Sequence, residues 1–91
     1  MSIIDIRRKH ARPLKEAKAA VERIAEHIAE KFQVDYGWSG NRLDFSRGGV
    51  DGHIAVTAKE IHVTASLGFF LMAIKGPIER EIRRYLEEEF G

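Results

Sequence analysis

Asp44, His53 and His62, with Arg42 beside them, are the residues whose types and spacing could do chemistry. A carboxylate next to an imidazole can orient a general base. It can also supply half of a metal site. Both readings stop early, because no third ligand and no nucleophile accompany the pair, and strand alternation puts all four residues on an open sheet face. A solvated cross-strand pair accounts for them at least as well. No catalytic residue, metal ligand or cofactor is therefore expected. His10 and His27 stand isolated in the sequence, and His27, beside an apolar helix stripe, reads as a surface residue. Gly48, Gly49 and Gly52 lead into a strand, whereas a phosphate cradle leads into a helix N-terminus. Gly52 is expected to give the Phe45 ring room.

A second candidate is an apolar surface. In the run from Leu67 to Ile74, seven of eight residues are apolar, and it ends at Lys75-Gly76-Pro77. It is too short to cross a bilayer, which takes about 20 such residues. Either Phe69, Phe70, Met72 and Ile74 plug one end of the sheet–helix sandwich, or residues of the set Phe69, Phe70, Leu71, Met72 and Ile74 dock on lipid, polymer or a partner. A segment apolar on all sides cannot point wholly inward in so small a domain, and exposure of at least two of its side chains is what would favour docking over plugging. Arg7, Arg8, Lys9 and Arg12 form a basic run that could add attraction to an anionic surface, if they lie on the same side. The plainer reading is a solvated strand end and helix entry.

Composition narrows the classes. The 91 residues form one domain, 1–91, with 44% hydrophobic and 32% charged residues and a net charge of +1. That charge gives no global pull toward nucleic acid. Tyr36, Trp38 and Phe45 could stack bases, but they share a face with Ile54, Val56, Ile61 and Val63 and read as core. There is no cysteine, which excludes disulfides and thiolate metal sites and fits a reducing cytoplasm. Met1–Asp5 carries no apolar signal core, so a cytoplasmic location is expected, with no transmembrane segment.

The positioning elements follow from periodicity. Ile3, Ile4 and Ile6 predict a first strand over about 2–8. Leu14, Ala17, Val21, Ile24, Ile28 and Phe32 predict an amphipathic helix over about 13–33, with Pro13 in its first turn. Three turns, Gly40-Asn41, Gly48-Gly49 and the weaker Ala58-Lys59, predict a four-stranded meander with Trp38 opposite Leu43, Phe45 opposite Gly52 and Val56 opposite Ile61. Ile78, Ile82, Tyr85, Leu86 and Phe90 predict a last helix over 77–90. A short helix over 69–75 precedes it, bent at Gly76-Pro77. The expected fold is α+β: a two-layer sandwich with a five-stranded antiparallel sheet, β-α-β-β-β-β-α, strand order 2-3-4-5-1, and two helices on one face. The strand beginning at Val34 would present an unpaired edge that a homodimer could cover.

Ile6-Arg7-Arg8-Lys9-His10, Tyr36-Gly37-Trp38-Ser39-Gly40, Leu43-Asp44-Phe45, Leu67-Gly68-Phe69 and Lys75-Gly76-Pro77-Ile78-Glu79 together carry a resemblance. Over about residues 3–90 the chain resembles the small polyhydroxyalkanoic acid system proteins, the PHA granule region family. That resemblance implies a bacterial accessory protein of the polyhydroxyalkanoate storage system, with the granule surface or a granule-associated protein as partner. It implies no established activity and supplies no catalytic residues. The tail is also similar to helix-grip proteins that bind lipids and polyketides. On that analogy the alternative is a binder of a hydroxyacyl or fatty-acyl chain, held near Trp38, Phe45, Val63 and Ile82.

Overall fold

Three short turns set the register of the sheet. The computed structural model describes residues 2–91, apart from the side chains of Ser2 and Phe70. Strands β2 (Asp35–Ser39), β3 (Arg42–Arg47), β4 (Val50–Val56) and β5 (Glu60–Leu67) form the predicted meander. Trp38 faces Leu43, Phe45 faces Gly52, and Val56 faces Ile61. Gly40 (φ +62°) and Gly49 (φ +87°) supply the left-handed backbone that two of the turns need. The third turn has no glycine. Instead the Thr57 hydroxyl oxygen accepts the backbone N–H groups of Lys59 (3.3 Å) and Glu60 (3.0 Å), a hydroxyl-closed turn. Strand β1 (Ser2–Lys9) pairs antiparallel with β5, giving the order β1-β5-β4-β3-β2.

Helix α1 (Leu14–Phe32) and helix α2 (Lys75–Phe90) cover one face of this sheet. Pro13 is not in the first helical turn as expected. It stands just before it with extended backbone (φ −55°, ψ 147°), and its carbonyl accepts the first helical bond from Ala17. Proline has no N–H to lose there. The far end of α1 stops where Gln33 turns left-handed (φ 57°), and Arg47 of β3 donates to the exposed Phe32 carbonyl at 2.8 Å. A second correction concerns the tail: a 3₁₀ helix occupies Phe69–Ile74, and α2 begins at Lys75. The junction lies ahead of Gly76-Pro77, whose residues fall in the first turn of α2, where a missing proline donor costs nothing.

Side chains of both layers meet in one cluster that includes Ile4, Ile24, Leu43, Ile61, Val63 and Ile82. Burying each such side chain stabilises by roughly 1.5–3 kcal/mol. Gly52 has the predicted role. A Cβ there would lie 2.5 Å from Phe45 Cζ and 2.6 Å from the Thr64 carbonyl oxygen, so the ring lies where a side chain would be. Tyr36 and Trp38 face the helices, as expected, but remain half-exposed at the edge of the layer. Their polar ends converge on Glu22 of α1: the Tyr36 hydroxyl donates to Oε2 and the Trp38 Nε1–H to Oε1, both at 2.6 Å.

Candidate functional site

The 3₁₀ helix sorts the apolar run by its period. With three residues per turn, side chains at i and i+3 eclipse one another. Phe69 and Met72 form one such row and are exposed, at 76% and 46%. Leu71 and Ile74 form another and pack against the core. The side chain of Phe70, an expected contact residue, lies outside the described residues. The segment is held by the central hairpin: the Gly68 N–H donates to the Gly49 carbonyl at 2.7 Å, and Leu71 lies against Gly49 so closely that a Cβ there would be 2.9 Å from its Cδ1. Ile3, 58% exposed, stands at the same end of the sheet, where β1 begins and β5 ends. Among the described residues these three are the exposed large apolar side chains.

The basic run does not join them. Lys9 pairs across from Glu60 at the other end of β1, and Ile3 and Lys9 are six residues apart, about 20 Å along a strand. Alternation divides the run further. Arg8 shares the helix-facing parity of buried Ile4 and Ile6 and meets Glu87 of α2 at 2.8 Å. Arg7 faces the open side and meets Glu60 at 3.0 Å. Arg7, Arg8 and Arg83 line a groove of about 250 Å³ at the β1 edge. Arg12 lies past the strand, with its guanidinium 5.3 Å from the centre of the Phe90 ring. The apolar and basic sets therefore do not form the single surface on which the added anionic attraction depended.

The candidate acid–base residues fall into two separate pairs. Asp44 faces His53 in the predicted register, but its carboxylate is taken by Arg42 at 3.0 Å. His62 meets Asp5 of β1 at 2.8 Å, a partner the meander turns could not reveal. Beside Asp44 and His53 the open face forms a broad groove of about 540 Å³, lined by Asp35, Asp44, Asp51, His53, Thr64 and Ser66 among others, with neither His62 nor Asp5 in its lining. No cluster of three or more metal-ligating side chains exists among the described residues. His10 is not isolated. Its Nε2 lies 2.8 Å from the Thr57 carbonyl and its Nδ1 accepts the Arg12 N–H at 3.1 Å, tying β1 to the β4–β5 turn. His27 is exposed and stacks on Tyr85 with ring centres 4.8 Å apart.

Among the described residues, the voids near the alternative acyl pocket are too small for an acyl chain. The voids beside Phe45 and Ile82 are about 10 Å³ each, about the space of a single water-sized probe. Val63 is fully buried and Trp38 is held at the sheet edge, so the four residues do not line a common cavity. Glu22 is the residue the sequence reading missed. Its carboxylate keeps the proton on Tyr36 and pushes that phenol up to about 12. Two hydrogen-bonding aromatics alternating on an edge strand were the available signal, since buried Tyr and Trp seek acceptors.

The fold and this surface define a small two-layer α+β domain with one open sheet face and one apolar corner. The chain belongs to the family described as "Putative polyhydroxyalkanoic acid system protein", whose model matches residues 4–90. No curated protein and no solved structure matches the chain. Among the described residues no helix is long and apolar enough to cross a membrane.

Proposed function

We propose that this protein is a non-enzymatic accessory protein of the polyhydroxyalkanoate storage system, and that it docks on the apolar surface of a storage granule through Phe69 and Met72. One observation carries the reading: a short ordered helix turns its inner row, Leu71 and Ile74, onto the core and its outer row, Phe69 and Met72, into solvent. Exposed apolar patches mark interaction sites. Family membership supports the accessory role. Burying both outer side chains yields roughly 3–6 kcal/mol, and association costs consume part of it. The contact is therefore reversible. Arg7, Arg8, Lys9 and Arg12 take no part in it.

The test is co-sedimentation of the purified protein with isolated polyhydroxyalkanoate granules, both protein-coated and stripped. The double variant Phe69→Asp/Met72→Asp runs beside it, with circular dichroism confirming its fold. Wild type is expected to pellet with both granule preparations and the folded variant to stay in solution. A variant that pellets like wild type overturns the reading. Binding to coated granules alone reassigns the contact to a granule protein.

A further inference from the structure

The sheet has two free edges, and they differ. In the two-residue hairpin at Gly40-Asn41 the flanking residues Ser39 and Arg42 exchange ladder hydrogen bonds. Alternation then makes Gly37↔Asp44 and Asp35↔Ser46 bonded pairs too. The backbone N–H and C=O groups of Tyr36 and Trp38 consequently point out of the sheet. At the other edge the same alternation turns Ile3, Asp5, Arg7 and Lys9 outward, and Arg7, Arg8 and Arg83 gather around it. Charges of that kind guard an edge against pairing. Strand β2 itself has no lysine, arginine or proline, and its own charge is Asp35. Lys18 of α1 reaches its end on the helix side, with Nζ 4.9 Å over the Trp38 ring and donating to the Gly40 carbonyl at 3.0 Å.

We propose that β2 pairs antiparallel with β2 of a second copy of this chain, about a two-fold axis at Gly37, to make a continuous ten-stranded sheet. This register sets Tyr36 against the partner's Trp38, so all outward backbone groups of both residues are used in each copy. Shifting the pairing by two residues in either direction sets Tyr36 or Trp38 against its own copy and carries the other past the strand end. The chosen register also puts Asp35 opposite the partner's Ser39, so the strand's own charge meets a hydroxyl instead of a second carboxylate. On the helix side Tyr36 and Trp38, already fixed by Glu22 and still half-exposed, become cross-strand aromatic pairs. At the axis two glycines face one another as a close, non-bonded pair, where the absence of a side chain removes any crowding.

Gly37 makes the proposal testable. Its φ is not in the left-handed region, and a Cβ built there meets nothing within 4 Å, so a long side chain fits the monomer. In the dimer it would face its own copy. Sedimentation velocity of wild type from low micromolar to submillimolar concentration is expected to show a monomer–dimer equilibrium. Gly37→Lys and Gly37→Glu, each alone, should weaken it by about tenfold or more through like charges directly opposed. An equimolar mixture of the two should restore it. Amide exchange gives a second reading: the N–H groups of Tyr36 and Trp38 should slow as wild-type concentration rises, and stay fast in either variant. A wild type that is monomeric throughout overturns the proposal. So does a dimer that both variants retain, or one in which those two amides exchange fast.

Discussion

Two stretches of this chain looked alike in sequence, each a short cluster of one residue type, and the fold treats them in opposite ways. The apolar run becomes a 3₁₀ helix, whose three-residue period gathers Phe69 and Met72 onto one side. The basic run becomes the end of β1, whose two-residue period sends Arg7 and Arg8 to opposite faces and into separate ion pairs with Glu60 and Glu87. A charge cluster in sequence is a surface patch only if the backbone period keeps it together. In the apolar run the side chains that share a face are three apart, in the basic run two apart.

The largest expected effect is the loss of granule docking in the Phe69→Asp/Met72→Asp variant. Next is Gly49→Ala, which acts on the same surface from a different strand pair. Alanine at φ +87° is strained by about 1–2 kcal/mol, and its Cβ pushes on Leu71. The melting temperature should fall, and docking should weaken because the 3₁₀ helix is displaced; unchanged docking would show that the row does not depend on its seat. Smaller still is the basic run. Arg7→Ala with Lys9→Ala, and Arg8→Ala separately, should each change granule binding less than twofold and stability by about 0–1 kcal/mol, since these pairs are exposed. A loss as large as that of the double aspartate variant would break the contrast and return the arginines to the contact surface.

The smallest effect is a pH dependence. Hydrogen bonds from Arg84, and then from Lys31, hold the Glu81 carboxyl down at about 2. In the unfolded chain it titrates near its ordinary value of 4.5. Its contribution is therefore complete above about pH 4.5 and is lost as the pH falls toward 2. Thermal melts across that window should fall more steeply for wild type than for Glu81→Gln. Parallel curves would show that the Lys31–Glu81–Arg84 set contributes nothing measurable, as many exposed pairs do.

What the sequence made legible was the sheet. Gly40, Gly48-Gly49 and the alternation of Leu43, Phe45, Ile54 and Val56 each constrain the same register, and a slip of one residue would put every one of them on the wrong face. The apolar run was legible as a surface candidate but not as a row, because six residues are too few to distinguish a period of 3.0 from one of 3.6. Glu22 was invisible for a different reason. It lies on the flank of the α1 stripe, and its partners Tyr36 and Trp38 are fixed by how the helix is seated on the sheet, which local pattern does not report. The same holds for His62, whose partner Asp5 arrives from the far end of the chain.

For the docking proposed above, the seat of Leu71 on Gly49 has a consequence for affinity. A docking segment that is disordered when free must spend much of its contact energy on losing chain entropy as it binds. Here that loss has already been met in the folding of the domain, because the Gly49 carbonyl and the core fix the segment before any surface arrives. Two side chains can then suffice where a flexible tail would need several. The same rigidity has a cost in selectivity of shape, since a fixed row of two residues fits a flat apolar surface better than a curved pocket.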